Sequence, residues 1–263
     1  MQTVALEGIR VLVTRPVHQA QTLCDMVTER GGQATRFPVI EIEPLNPSAR
    51  AANLINNPGM IDFAVFISPN AVEYGLRQLL AQGEIPDKLK LVTIGGASAL
   101  KLRQLIGRTA DICPLEHYNS EALLALESLQ YDAVNKKRVI IFRGLGGREL
   151  LATTLRQRGA KVDYAEVYQR RRPEVDNNLL DAVWGRDTPD IVTVTSSEGL
   201  TNLVAMVGKK YQARLLQTPL VVVTEKMRLY ARTLGFNADI LVAAKASNEA
   251  LLESVQELFS VRE

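Results

Sequence analysis

Thr195, Ser196, Ser197 and Gly199 follow the apolar run DIVTV and precede a helical pattern. None of them is a metal ligand, a base or a strong nucleophile. What such a turn can offer is hydroxyl groups and backbone N–H groups at a helix N-terminus, and that combination attracts anions. Comparable turns follow five other apolar runs: Thr14-Arg15-Pro16, Ser68-Pro69-Asn70, Gly95-Gly96-Ala97-Ser98, Arg143-Gly144-Leu145-Gly146-Gly147-Arg148 and Thr224-Glu225-Lys226. Arg15, Arg143 and Arg148 add guanidinium groups suited to carboxylate or phosphate. Serine and threonine are also ordinary helix N-caps, so any one turn reads first as a cap. The six together suggest a cradle for a multiply negative ligand. Its candidate binding residues are Arg15, Ser68, Asn70, Gly95, Arg143, Gly144, Arg148, Thr195, Ser196 and Ser197.

Other chemistries find little support. Arg143-Gly-x-Gly-Gly-Arg148 is neither a P-loop nor a complete GxGxxG, which argues against a nucleotide phosphate site. His18 and His117 are the only histidines, and neither has a cysteine or carboxylate partner close in sequence, so no triad and no metal site is expected. Cys24 and Cys113 are far apart, with no ligand-like spacing. The basic run Arg170-Arg171-Arg172 reads as a solvated connector.

The turns need elements to position them. IRVLVT, DFAVFI, KLVTIG, KRVIIF, DIVTVT and LVVVT are short, continuous and rich in Val and Ile, as in parallel strands buried on both faces. Each leads into a helical pattern such as AVEYGLRQLLAQG or GRELLATTLRQRG, the alternation of a doubly wound α/β fold. In such sheets ligands bind at the carboxyl ends of the strands, where these turns fall. Pro16 and Pro69 are placed for first helical turns, and Gly31-Gly32 and Gly159 for C-caps.

The chain also repeats itself. A shift of 128 residues (190 less 62) lays DFAVFISPNAVEYGL on DIVTVTSSEGLTNLV. The same shift pairs Arg10 with Arg138, Arg15 with Arg143, Gly31 with Gly159, Val39 with Val167 and Glu121 with Glu249. That period is too long for a solenoid and indicates a duplicated domain-sized unit. VIEIEPLNP (39–47) and VYQRRRPEVD (167–176) alternate apolar with polar residues at equivalent places in the repeats, and read as two extended connectors lying side by side. Tyr168, on the second, would be packing in most settings but would face the interdomain gap if the connectors pair.

With 263 residues, 46% apolar, 23% charged and a net charge of +2, the composition is that of a globular protein with no bias toward bulk nucleic-acid binding. No run of 18 apolar residues suggests a membrane span, and MQTVALEGIRVLVTRP lacks the pattern of a secretory leader. A cytoplasmic monomer is the expectation.

VLVTRP, DFAVFISPNAV, VTIGGASALKL, YNSEALL, VIIFRGLGGRELL, AEVYQ, DIVTVTSSEGL and ASNEALL, in that order and spacing, resemble the uroporphyrinogen-III synthase family over essentially the whole chain. The resemblance implies two flavodoxin-like α/β domains joined by a two-stranded connector: 1–37 with 174–263, and 41–169, with connectors at 38–40 and 170–173. It implies no metal and no organic cofactor. It also implies that hydroxymethylbilane, handed over by hydroxymethylbilane synthase, closes to uroporphyrinogen III with ring D inverted and one water lost. A bilane with eight carboxylates would suit turns contributed by both domains. Tyr168 matches a family tyrosine in VYQ and is the candidate to hydrogen-bond the departing hydroxyl. Glu225-Lys226 departs from the family's small residues there, so Glu225 is expected to face away unless Lys226 neutralises it. Two rivals remain from the residues alone: a non-catalytic two-domain small-anion binding or regulatory protein, and a flavin site. Low aromatic content, 5%, weighs against the latter.

Overall fold

The Val- and Ile-rich runs become the interiors of two sheets. In the computed structural model the described residues are 6–260 apart from 187. The first residues of the stretch read for a leader, MQTVA, and the side chain of His18 lie outside that description. The strands are β1 (Arg10–Val13), β2 (Gln33–Arg36), β3 (Glu41–Pro44), β4 (Phe63–Phe66), β5 (Lys90–Thr93), β6 (Arg138–Gly144), β7 (Lys161–Arg171), β8 (Ile191–Thr193), β9 (Leu220–Val222) and β10 (Ile240–Val242). The helices are α1 (Val17–Thr28), α2 (Ala49–Ile55), α3 (Pro69–Leu80), α4 (Gly96–Ile106), α5 (Ser120–Ala125), α6 (Tyr131–Val134), α7 (Leu150–Gln157), α8 (Asn177–Asp181), α9 (Ser197–Leu216), α10 (Glu225–Thr233) and α11 (Asn248–Ser260). The chain divides into one unit of Met1–Glu41 with Arg171–Glu263 and another of Ile42–Arg170.

The first unit holds the sheet β10-β9-β8-β1-β2, with every neighbouring pair parallel. Counted in order of occurrence, its strands read 2-1-3-4-5, the flavodoxin-like order. The second unit holds β3-β7-β6-β4-β5, with Ile112 bridged to Val92 in parallel beyond β5. The shift of 128 maps one arrangement on the other. Arg10 answers Arg138, Gln33 answers Lys161, Phe63 answers Ile191, Pro69 answers Ser197, Ser120 answers Asn248, and Ile112 answers Ile240, all at element starts or the bridge. In both units the direction of winding therefore reverses between equivalent strands: β1 and β8, and β6 and β4.

Packing follows the pleat. Ala64, Phe66, Leu91, Ile140 and Phe142 point to the layer of Leu76, Leu79 and Leu102. Val65, Val92, Val139 and Ile141 point the other way, to Leu123, Leu151 and Leu155. In the first unit Val11, Val13, Ile191 and Val221 meet Leu23, Leu251 and Val255. Phe66 and Phe142 stack at 4.9 Å. A Cβ on Gly75 of α3 would lie 2.6 Å from Phe142, so a glycine is what lets α3 approach the ring pair.

The repeated aspartates are structural. Asp62 accepts the Arg138 backbone N–H at 2.8 Å, and its own N–H donates to the Arg138 carbonyl at 2.9 Å. Asp190 does the same with Arg10, at 2.8 and 2.9 Å, and also takes the Arg10 guanidinium. Each clasps the amino ends of two adjacent strands, at the edge opposite the serine-rich turns.

β3 and β7 are neighbours, and the Leu45 N–H donates to the Val167 carbonyl at 2.9 Å. The first five residues of the second stretch read as a connector, 167–171, thus belong to one continuous strand, Lys161–Arg171, whose earlier half pairs with β6. β2, with the sequence QATR, is not evident as a strand beforehand because it is an exposed edge without an apolar run.

Candidate functional site

In each unit the turns gather at the carboxyl edge of the sheet, and two flank the switch point where a doubly wound sheet opens a crevice. In the second unit these are the turns after β4 and β6. In the first they follow β8 and β1.

Ser68 begins α3 in extended conformation. Its Oγ accepts from the Ala71 N–H at 3.0 Å. Pro69, at the first helical position, has no N–H, and the Asn70 N–H keeps no partner among the described residues. Ser196 caps α9 in the same way, accepting from the Gly199 N–H at 2.9 Å, and the Ser197 N–H is likewise open. Thr195 lies half-buried between β8 and that cap. Gly95 starts α4 without a side-chain cap, whereas Thr224 caps α10 by accepting from the Met227 N–H at 3.2 Å. Each unit therefore shows two helix N-termini whose first amides have no partner among the described residues, on one edge of its sheet.

Arg143 departs from the expectation of an anion ligand. Arg143 is only 2% exposed. Its Nε donates to the carbonyls of Gly146 at 2.8 Å and Gly144 at 3.3 Å, and its Nη1 pairs with Glu149 at 3.0 Å. Its guanidinium stacks 4.4 Å from the Tyr164 ring centroid. A Cβ on Gly147 would come within 2.9 Å of Nη2, and Gly147 has φ +115°, so the loop can wrap the guanidinium only with glycine there. Arg143 thus holds its own loop and does not reach outward. The loop's amides are engaged as well: Leu145 N–H donates to the Tyr168 carbonyl at 2.8 Å and Gly146 N–H to Glu166 at 3.0 Å.

Arg148 is exposed and donates to Glu121 at 2.6 Å, which holds that carboxyl below its ordinary value. Arg15 donates to Asn248 Oδ1 and, at 3.4 Å, to Gln19. Its buried Nε has no partner among the described residues, and burial lowers its pKa. In both units an arginine beyond the first repeat strand is tied to the start of the last repeat helix, Arg148 to α5 and Arg15 to α11.

Tyr168 is 4% exposed and belongs to the second unit's core. The ring lies over Gly144, where a Cβ would sit 2.8 Å from it, and 6.0 Å from the Tyr74 ring. Its hydroxyl meets Ser68 Oγ at 3.0 Å. The ring is packed, the usual setting for a tyrosine at such a place, and its hydroxyl end addresses the Ser68 turn. His117 is exposed, as a loop residue should be. Glu225 pairs with Arg228 at 2.7 Å rather than with Lys226. No spacing rule singles out Glu149, Tyr164 or Glu166, because their role is to hold Arg143 and its loop from neighbouring elements.

Hydrogen bonds from Tyr164, at 2.8 Å, and from Arg143 lower the Glu149 pKa. Burial, then Glu149, pushes Tyr164 up to about 12. A tyrosine with a raised folded pKa contributes stability that is complete below its unfolded value of about 10 and is lost as pH rises through the folded value. The protein is therefore expected to lose stability between about pH 10 and 12, and Tyr164→Phe should flatten that loss. Urea unfolding across the alkaline range, with Tyr164 ionisation followed by absorbance, checks it. An unchanged alkaline slope in the variant would separate Tyr164 from the effect.

Among the described residues no helix is long and apolar enough to cross a membrane. The family profile described as Uroporphyrinogen-III synthase HemD matches residues 21–255. The Uroporphyrinogen-III synthase of Escherichia coli (strain K12) is 36% identical over 251 residues, covering 94% of this chain and 99% of the relative. That of Salmonella typhimurium is 37% identical over 253 residues, with the same coverage. Among solved structures, uroporphyrinogen-III synthetase from Helicobacter pylori aligns with TM-score 0.60 at 16% identity, over 95% of this chain and 99% of that one. A mutant uroporphyrinogen III synthase from Thermus thermophilus aligns with TM-score 0.59 at 14% identity, over 97% and 100%. The two structures support the α/β fold; the profile and the two close relatives establish that the chain belongs to the uroporphyrinogen-III synthase family.

Proposed function

We propose that the protein converts hydroxymethylbilane to uroporphyrinogen III, inverting ring D with loss of water, in the cytoplasm, as a monomer that receives its substrate from hydroxymethylbilane synthase. The observation that carries this reading is the match to two synthases over 94% of the chain. The geometry is compatible. In each unit taken by itself, open amides suit carboxylates such as those of a bilane: at the starts of α3 and α4 in one, and of α9 and α10 in the other.

The reaction asks little of side-chain chemistry. The pyrrole nitrogen expels the hydroxyl and leaves an azafulvenium carbon. The substituted carbon of ring D attacks it, and the spiro intermediate opens and recloses in the inverted sense. Unassisted closure occurs without inversion, so the protein's contribution is orientation of the bilane and exclusion of direct closure. Tyr168 is the proposed donor to the departing hydroxyl, with Ser68 as its partner at 3.0 Å. Thr195, Ser196, Ser197, Asn70 and Gly95 are proposed as carboxylate contacts through their turns. Arg143 and Gly144 are proposed as supports of the β6 loop, and Arg148 as its tether to α5.

The test is the isomer ratio. Protein incubated with enzymatically generated hydroxymethylbilane should give mainly type III uroporphyrin after oxidation and chromatography. Type I alone would sink the reading. With the family shown, the binding-protein and flavin alternatives have no observation in their favour.

A further inference from the structure

Tyr118 presents a large ring that the fold does not need. It lies between the Ile112 bridge and α5, and it is 60% exposed. A Cβ built on Gly95 would fall 2.7 Å from Tyr118 Cβ and 2.8 Å from Cγ; one on Gly96 would fall 3.4 Å from the phenolic oxygen. The side chain therefore runs along the start of α4, its root over Gly95 and its hydroxyl end over Gly96. Its hydroxyl makes one long hydrogen bond, donating to the Leu115 carbonyl at 3.4 Å.

The internal repeat supplies a control. At this turn the second repeat is one residue longer: Gly95 and Thr224 are the equivalent N-caps, so Gly95 answers Thr224 and Gly96 answers Glu225, while Tyr118 answers Ala246 at the shift of 128. The first unit puts larger residues on the turn and a small one on the loop; the second reverses this. In the first unit Thr224 caps α10 and Glu225 pairs with Arg228. In the second, α4 has no side-chain cap and an aromatic ring stands in water. The fold accepts either solution, and the second gives up a cap and leaves Tyr118 60% exposed. The ring also stands beside the open amides of Gly96 and Ala97. A flat apolar face next to backbone donors matches an aromatic ring bearing acid side chains.

We propose that Tyr118 contacts the substrate of the cyclisation: carried on Gly95 and Gly96, its ring stacks on a pyrrole of the bilane and fixes that ring's orientation. The inference rests on the functional reading above. Offset aromatic stacking is the interaction that Tyr118→Ala removes and Tyr118→Phe keeps.

The experiment measures KM, kcat and the type III share for the wild-type protein, Tyr118→Ala, Tyr118→Leu and Tyr118→Phe, with unfolding midpoints alongside. Tyr118→Ala is expected to raise KM roughly tenfold and increase the type I share, at an unchanged midpoint. Tyr118→Leu should fall between, and Tyr118→Phe should behave as wild type. Wild-type KM and isomer share in Tyr118→Ala would overturn the proposal. So would a loss in Tyr118→Ala that follows a lowered midpoint and spares KM, or an equal loss in Tyr118→Phe. Type I product from the wild-type protein would instead overturn the functional reading and this proposal together.

Discussion

Arg143→Met is expected to lower kcat/KM by more than tenfold and stability by about 2–3 kcal/mol, because it removes the group around which the β6 loop is wound. The side chain is 2% exposed, and it supplies donors to Gly144, Gly146 and Glu149 together with the stack on Tyr164. Methionine can fill much of the stem's volume but satisfies neither carbonyl. Gly146, at φ +73°, and Gly147, at φ +115°, have many alternative conformations once the guanidinium is gone. Arg143→Lys should rescue poorly, since a point charge cannot serve two carbonyls and a carboxylate while stacking on a ring. Glu149→Gln should be milder, because that carboxyl stands at the solvent end of the cluster. Steady-state kinetics beside urea unfolding would check the series. Wild-type kinetics in Arg143→Met would show that Leu145 to the Tyr168 carbonyl and Gly146 to Glu166 suffice to hold the loop.

Tyr168→Phe is expected to lower kcat at least tenfold with little change in KM and a stability loss of about 1 kcal/mol. Ser68 Oγ already accepts from the Ala71 N–H at 3.0 Å. Its own proton can go to the Tyr168 oxygen, leaving the phenol O–H to donate outward. Phenylalanine keeps the packing over Gly144 and removes only that donor. Ser68→Ala removes the orienting partner and also the α3 cap, so its stability loss should be larger. A double-mutant cycle separates the two roles. If Ser68 acts by orienting the phenol, adding Ser68→Ala to Tyr168→Phe should not lower kcat further. Unchanged turnover in Tyr168→Phe would mean that the residue serves packing alone.

The sheet interiors are plain in the sequence because continuous apolar runs have few other solutions, and the shift of 128 ties the two units together. β2, as QATR, carries no such signal, and β10 is three residues long. The turns are visible as small residues after strands. What their side chains touch is not. Arg143 looks like an anion ligand because its type and place fit one, yet burial and two local carbonyls claim it. Glu225 finds Arg228 one helical turn on. Tyr118 enters the sequence reading only as the first residue of YNSEALL, since its placement depends on Gly95 lying beneath it, 23 positions earlier in the chain. Contacts between loops of different strands leave no periodicity to read.

β1 sits between β2 and β8, and the Arg10–Asp190 clasp joins residues 180 apart. During vectorial synthesis at about 5–20 residues per second, β1 would wait about 9–36 s for β8 to be made. The intervening Ile42–Arg170 carries its own sheet and can close first. The nascent protein thus holds a half-paired central strand with the apolar residues Val11, Leu12 and Val13 while its inner unit matures. Substitutions that slow the inner unit would then lengthen the exposure of the outer one, and aggregation during expression would report on them before any loss of equilibrium stability did.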